Sequence, residues 1–142
     1  MTEEIMQFGK WTLSLCLLGS LILQSPLAYA NPAAGEELAP GFNACISRSS
    51  SVSEMRQCNA SAIQYWQDRL DKALSRAGAM CEQANQPESC KKSLNRAQTT
   101  WQDYVEMMAN YRMEVSSGGS EGLLEQGKFR AEAIRAQVRI LE

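Results

Sequence analysis

From residue 55 onward, apolar side chains recur at steps of three and four, and no other feature of the sequence narrows the fold as much. Met55, Ala62, Trp66, Leu70, Ala73 and Ala77 fall on one line, with Ile63 and Leu74 widening it. Such spacing makes one face of an α-helix apolar, and that face must be buried against another element. Ser51 stands ahead of the run as an N-cap, and Glu54, three residues on, has the spacing of a capping box. The pattern predicts a first long helix of about thirty residues starting at Ser51.

The run breaks at Asn85-Gln86-Pro87. Proline suits the first turn of a new helix, where its missing N–H is no loss, and Glu88 complements the positive end of the helix dipole. A second helix follows with a stripe of Leu94, Ala97, Trp101, Val105 and Met108, Tyr104 beside it, and Lys91, Lys92, Arg96 and Asp103 off the line. It ends at Ser116-Ser117-Gly118-Gly119. Ser120 then caps a third helix whose seam is Leu124, Gly127, Ala131, Ile134, Val138 and Leu141. Gly127 costs about 1 kcal/mol in helix propensity, so its place on the seam points to close approach of another backbone. The expected fold is all-α: an antiparallel helical hairpin, its Trp66 and Trp101 stripes face to face, with a third packed helix and a disulfide staple.

The N-terminus reads as an export signal. Lys10 precedes an uncharged run from Trp11 to Leu23, then Ser25-Pro26 and the small-residue tripeptide Ala28-Tyr29-Ala30. The run is about thirteen residues, short of the roughly twenty needed to span a bilayer. A bulky Leu15 before Cys16 argues against a lipoprotein site. Residues 1–30 are therefore a cleavable signal peptide, and the mature chain is expected in the periplasm or secreted, with no membrane attachment after cleavage. Residues 31–42, rich in Pro, Ala, Gly and Glu, form a flexible leader, and 43–142 form the domain. Of five cysteines Cys16 leaves with the signal, so Cys45, Cys58, Cys81 and Cys90 remain, an even set in an oxidising compartment. Three pairings are possible, and proximity favours Cys45 with Cys58 and Cys81 with Cys90. Each short loop would contribute about 3 kcal/mol in the chain-entropy description.

Charge and residue types then exclude functions. Removing Lys10, Glu3 and Glu4 from 14 basic and 16 acidic side chains leaves 13 and 14, so no strong field exists to collect nucleic acid. The chain contains 0 histidines, which removes Ser-His and Cys-His catalysis, and the cysteine spacing is unlike a zinc site. No cofactor or metal is expected. The carboxylate pairs Asp68 with Asp71 and Asp103 with Glu106 lie one turn apart beside basic neighbours, which fits solvated helix faces better than a glycosidase pair. Gly118-Gly119 follows a helix and lacks a P-loop lysine. Trp66, Trp101 and Tyr104 fall on the seams and are assigned to the core. What remains points to a binding protein, not an enzyme. Its candidate partner contact is the small polar turn Ser116, Ser117, Gly118, Gly119 and Ser120, flanked by Tyr111 and Arg112. A basic face of Lys91, Lys92 and Arg96 is the alternative contact.

Leu94-Asn95-Arg96-Ala97-Gln98, Trp101, Tyr104, Gly118-Gly119-Ser120, Arg135 and Leu141, with Cys45 and Glu54-Met55 before Cys58 upstream, form a string that resembles the LprI-like lysozyme-inhibitor domain family of exported bacterial proteins. The likeness covers most of the mature chain. It departs where the family continues W-x-x-Y-R-D-x-x-C: Val105 and Glu106 follow Tyr104, Ala109 replaces the cysteine, and Gly127 aligns with that cysteine's partner. Loss of both members together marks a discarded disulfide, for which the pair Cys81 and Cys90 compensates. The resemblance implies an exported helical binding module, a periplasmic inhibitor of lysozyme or another cell-wall glycosidase. The alternative is a structural or adaptor protein of the cell envelope with no lysozyme target.

Overall fold

The computed structural model describes residues 36–142. The expected signal peptide and residues 31–35 of the expected leader lie outside them. Four helices follow in order: α1 (Phe42–Arg48), α2 (Val52–Glu82), α3 (Pro87–Val115) and α4 (Gly119–Leu141). All regular structure among the described residues is helical.

The helix starts follow local chemistry. Ser51 Oγ accepts the Glu54 N–H at 3.2 Å, as an N-cap does. The Glu54 carboxylate reaches one residue further back than a capping box requires, accepting from the Ser50 N–H at 2.6 Å and the Ser50 hydroxyl at 3.1 Å. These bonds to Ser50 hold its carboxyl below the usual glutamate range. Pro87 opens α3, and Glu88 lies in its first turn. α4 departs from expectation, because Ser120 does not cap it. The helix begins two residues earlier, with Gly118 in the cap position and no side-chain cap. Ser117, Gly118 and Gly119 carry φ values of 67°, 65° and 60°, so backbone reversal, open to glycine and strained for Ser117, makes the turn. The Gly118 N–H closes it on the Met113 carbonyl at 3.1 Å, the six-to-one bond of a Schellman motif.

Cross-helix contacts fix the directions. Asn110, Glu106 and Gln98 on α3 bond to Gln126, Arg130 and Gln137 on α4, so these helices run opposite ways. Asn59, Leu70 and Arg76 on α2 meet Leu124, Val138 and Glu142 on or just after α4, so those two run the same way. α2 and α3 touch each other far less than each touches α4. The tryptophan stripes, expected face to face, therefore meet at a cluster shared with α4: Trp66 and Trp101 both pack against the group formed by Leu70 of α2 with Ile134 and Val138 of α4.

The reason is the size of the seam residues. Ala62, Ala73 and Ala131 are almost completely buried, and Gly127 lies so close to α2 that a Cβ on it would stand 3.1 Å from Cβ of Asn59. What approaches Gly127 is thus a side chain, not the backbone expected. Asn59, itself buried, donates from Nδ2 to the Leu124 carbonyl at 3.0 Å, which satisfies the amide and locks the register. Leu70 and Val138 are the large apolar side chains sealed inside, each contributing about 1.5–3 kcal/mol by leaving water.

Two further differences lie at the N-terminal side. Residues 36–40, expected to be mobile leader, are fastened down: Leu38 and Ala39 are buried beside Ala62 and Ala131, and the Leu38 carbonyl accepts Trp66 Nε1–H at 2.6 Å. Arg135 donates to the Glu37 carbonyl, and Arg139 pairs with Glu36 at 2.6 Å. α1 is an additional helix. Gly41, at φ 79°, precedes it, and the Glu37 carboxylate accepts the Asn43 N–H at 2.7 Å. Cys45 to Cys58 joins α1 to α2, and Cys81 to Cys90 joins the end of α2 to the start of α3, the pairing favoured by proximity.

Candidate functional site

Tyr111 is 55% exposed near the end of α3. Arg112, next to it, is less free than expected: its guanidinium stacks over Phe129 of α4, 5.5 Å from the ring centroid. Ser117, Gly119 and Ser120 are exposed, while Ser116 and Gly118 are half-buried in the turn. The structure thus brings Tyr111, Arg112 and residues 116–120 to one end of the molecule, where α3 gives way to α4. Gly122 shows how tightly that end is built, since a Cβ there would stand 2.5 Å from the Met113 carbonyl oxygen.

Tyr104, whose spacing predicts a place in the core, lies outside it and is 52% exposed. Trp101 is only half-buried, and Val105 and Ala109 take the inward positions. Tyr104 belongs to a row the sequence reading missed, with Met107, Tyr111 and Val115, all large, apolar and exposed on α3. The signal was present: apolar positions on this helix outnumber what one buried face holds. The row leads directly into the 116–120 turn.

The basic face is partly neutralised, because Lys91 pairs with Glu82 at 2.6 Å, a contact that raises its pKa. Lys92 and Arg96 are exposed. The carboxylates weighed as a glycosidase pair are engaged by neighbours: Asp68 and Asp71 accept from Gln64 and Gln67, and Glu106 pairs with Arg130 at 2.6 Å. Among the described helices none is long and apolar enough to cross a membrane.

No curated protein and no solved structure matches the chain. The family model described as lysozyme inhibitor LprI matches residues 45–141, which takes in all of α2, α3 and α4 and both disulfides. The chain belongs to the lysozyme inhibitor LprI family.

Proposed function

We propose that this protein is an exported binding module that inhibits a lysozyme or related wall-degrading glycosidase by covering its substrate cleft. Membership of the family carries this reading. The contact assigned to it is the end of α3 with the following turn. Tyr111 supplies an aromatic anchor of the kind concentrated at interface hot spots, and Met107 and Val115 extend it as an apolar row that water covers poorly. The Gly119 and Ser120 amides and the Ser117 and Ser120 hydroxyls offer donors to the carboxylates of a glycosidase cleft, the Gly118 N–H being taken by the Met113 carbonyl. No proton transfer or bond cleavage by the inhibitor is needed, because a plug acts by occupancy. In this reading the signal peptide delivers the chain to the compartment where the disulfides form.

The test is a wall-lysis turbidity assay of the purified mature protein against chicken-type, goose-type and invertebrate-type lysozymes. Inhibition of at least one is expected, weakened about tenfold or more by Tyr111→Ala with the melting temperature retained. No inhibition of any of the three would overturn the reading. Full inhibition by Tyr111→Ala and by Ser120→Arg would remove this end of the molecule as the contact and direct attention to Lys92 and Arg96.

A further inference from the structure

Away from that end, α2, α3 and α4 enclose a cleft of about 490 Å³, the size of a small-ligand site. Trp101 forms one wall, half-exposed, so part of its indole remains open after packing on Ile134 and Val138. Ile63, Val105 and Ile134 line the cleft with aliphatic surface. Beside them stand four polar groups: the amide of Gln102, the amide of Gln67, whose Nε2 also donates to Asp71 at 2.9 Å, and the ion pair of Glu106 with Arg130. The Arg130 Nε–H has no protein acceptor.

We infer that this cleft binds a neutral saccharide of the N-acetylhexosamine class. An aromatic plane accepts the C–H face of a pyranose ring, while side chains that both donate and accept in fixed planes match hydroxyls that do the same. The lining carries one acid and one base, already paired, so it offers no net charge to hold a phosphate or a carboxylate. The aliphatic residues suit the acetamido methyl. A peptide strand is a poorer fit, because the three walls are helices whose backbone groups are already hydrogen-bonded, leaving only side chains for recognition. The inference is independent of the lysozyme contact, which lies at the 111–120 end, and its readout is direct sugar binding.

The experiment titrates chitotriose into the purified mature protein, followed by calorimetry and by NMR of the indole and side-chain amide signals. Saturable binding is expected, with the largest shifts at the Trp101 indole N–H and the Gln67 and Gln102 amides. Gln102→Ala, an exposed position that leaves the fold intact, is expected to weaken binding about fivefold, and Trp101→Ala at least tenfold. If Trp101→Ala fails to fold, Gln102→Ala and Gln67→Ala decide alone. The inference is overturned by absence of saturation at about 20 mM sugar, by unchanged affinity in both glutamine variants, or by tighter binding of inorganic phosphate.

Discussion

Three glycine-to-alanine substitutions in this protein should separate by sign, because the structure puts three different things where the methyl group would go. At Gly122 a Cβ would stand 2.5 Å from the Met113 carbonyl oxygen and 3.1 Å from Met113 Cγ, against a floor near 3.0 Å for real contacts. The first turn of α4 must therefore lift from the end of α3 by about 0.5 Å, an overpacking strain of about 1–3 kcal/mol. The same carbonyl accepts the Gly118 N–H, so the lift also weakens the bond that closes the turn, which is worth about 1 kcal/mol intact. Against this stands a helix-propensity gain of at most about 1 kcal/mol. The net expectation is a loss of about 1–3 kcal/mol, or a fall in Tm of about 5–15 °C for a domain of this size. Gly78, near the C-terminal end of α2, has nothing within 4 Å of its Cβ position, so Gly78→Ala should stabilise by about 0.5–1 kcal/mol. Gly127→Ala should fall between them, because the nearest obstacle is the Asn59 side chain at 3.1 Å. Thermal and urea unfolding followed by circular dichroism at 222 nm measures all three. A Gly122→Ala protein as stable as Gly78→Ala would refute the packing of α4 against the end of α3.

Other expectations follow from single contacts. Residues 36–142, purified after folding under oxidising conditions, should show no thiol reactive to Ellman's reagent in the native state, since Cys45, Cys58, Cys81 and Cys90 are paired; two or more reactive thiols would contradict the pairing. Trp66→Phe should cost about 1–3 kcal/mol, because it leaves the buried Leu38 carbonyl unpaired, and hydrogen exchange should accelerate in residues 36–43; unchanged exchange there would show that the bond does not hold the segment. Glu54 and Glu36 both have carboxyls held below the ordinary 4.5, Glu54 chiefly by the Ser50 backbone bond and Glu36 by its bond to Arg139. Folded values below unfolded ones mean stabilisation that is complete above pH 4.5 and disappears as pH falls through the folded values, so Tm should decline in acid and the decline should be shallower in Glu54→Gln. Lys91 has the opposite sign: its value is raised by Glu82, so its contribution persists up to 10.5 and fades only above that, leaving the acid limb to the carboxylates.

The long helices were legible because their determinants are local. The stripe through Leu70 and Ala73, the break at Pro87, the Ser51 cap and the glycine pair at the start of α4 all act within a few residues of sequence. α1 was not legible, because its seven residues make two turns with no repeated stripe and nothing in it is fully buried. Its support comes from distant parts, the disulfide to Cys58 and the Glu37 carboxylate on the Asn43 N–H. Residues 36–40 escaped for the same reason, since their composition carries no hint that a tryptophan N–H on α2 will take the Leu38 carbonyl.

The misplaced Tyr104 has a different cause, and it bears on function. Val105 and Tyr104 are adjacent in sequence, so about 100° of helix rotation separates them, and periodicity alone cannot say which of two neighbouring apolar lines faces inward. Where α4 lies decides it. Because Asn59, Ala62 and Ala131 bring α2 and α4 close through small side chains, α4 meets α3 on the line of Val105 and Ala109, not on that of Tyr104. The large residues Tyr104, Met107, Tyr111 and Val115 are then left outside by a core built largely of alanine. Folding alone gives no reason to retain four such side chains in a row on an exposed face, where polar helix formers would serve stability and solubility better. In the proposed function that reason is a partner, met along the second half of α3 beside the turn into α4.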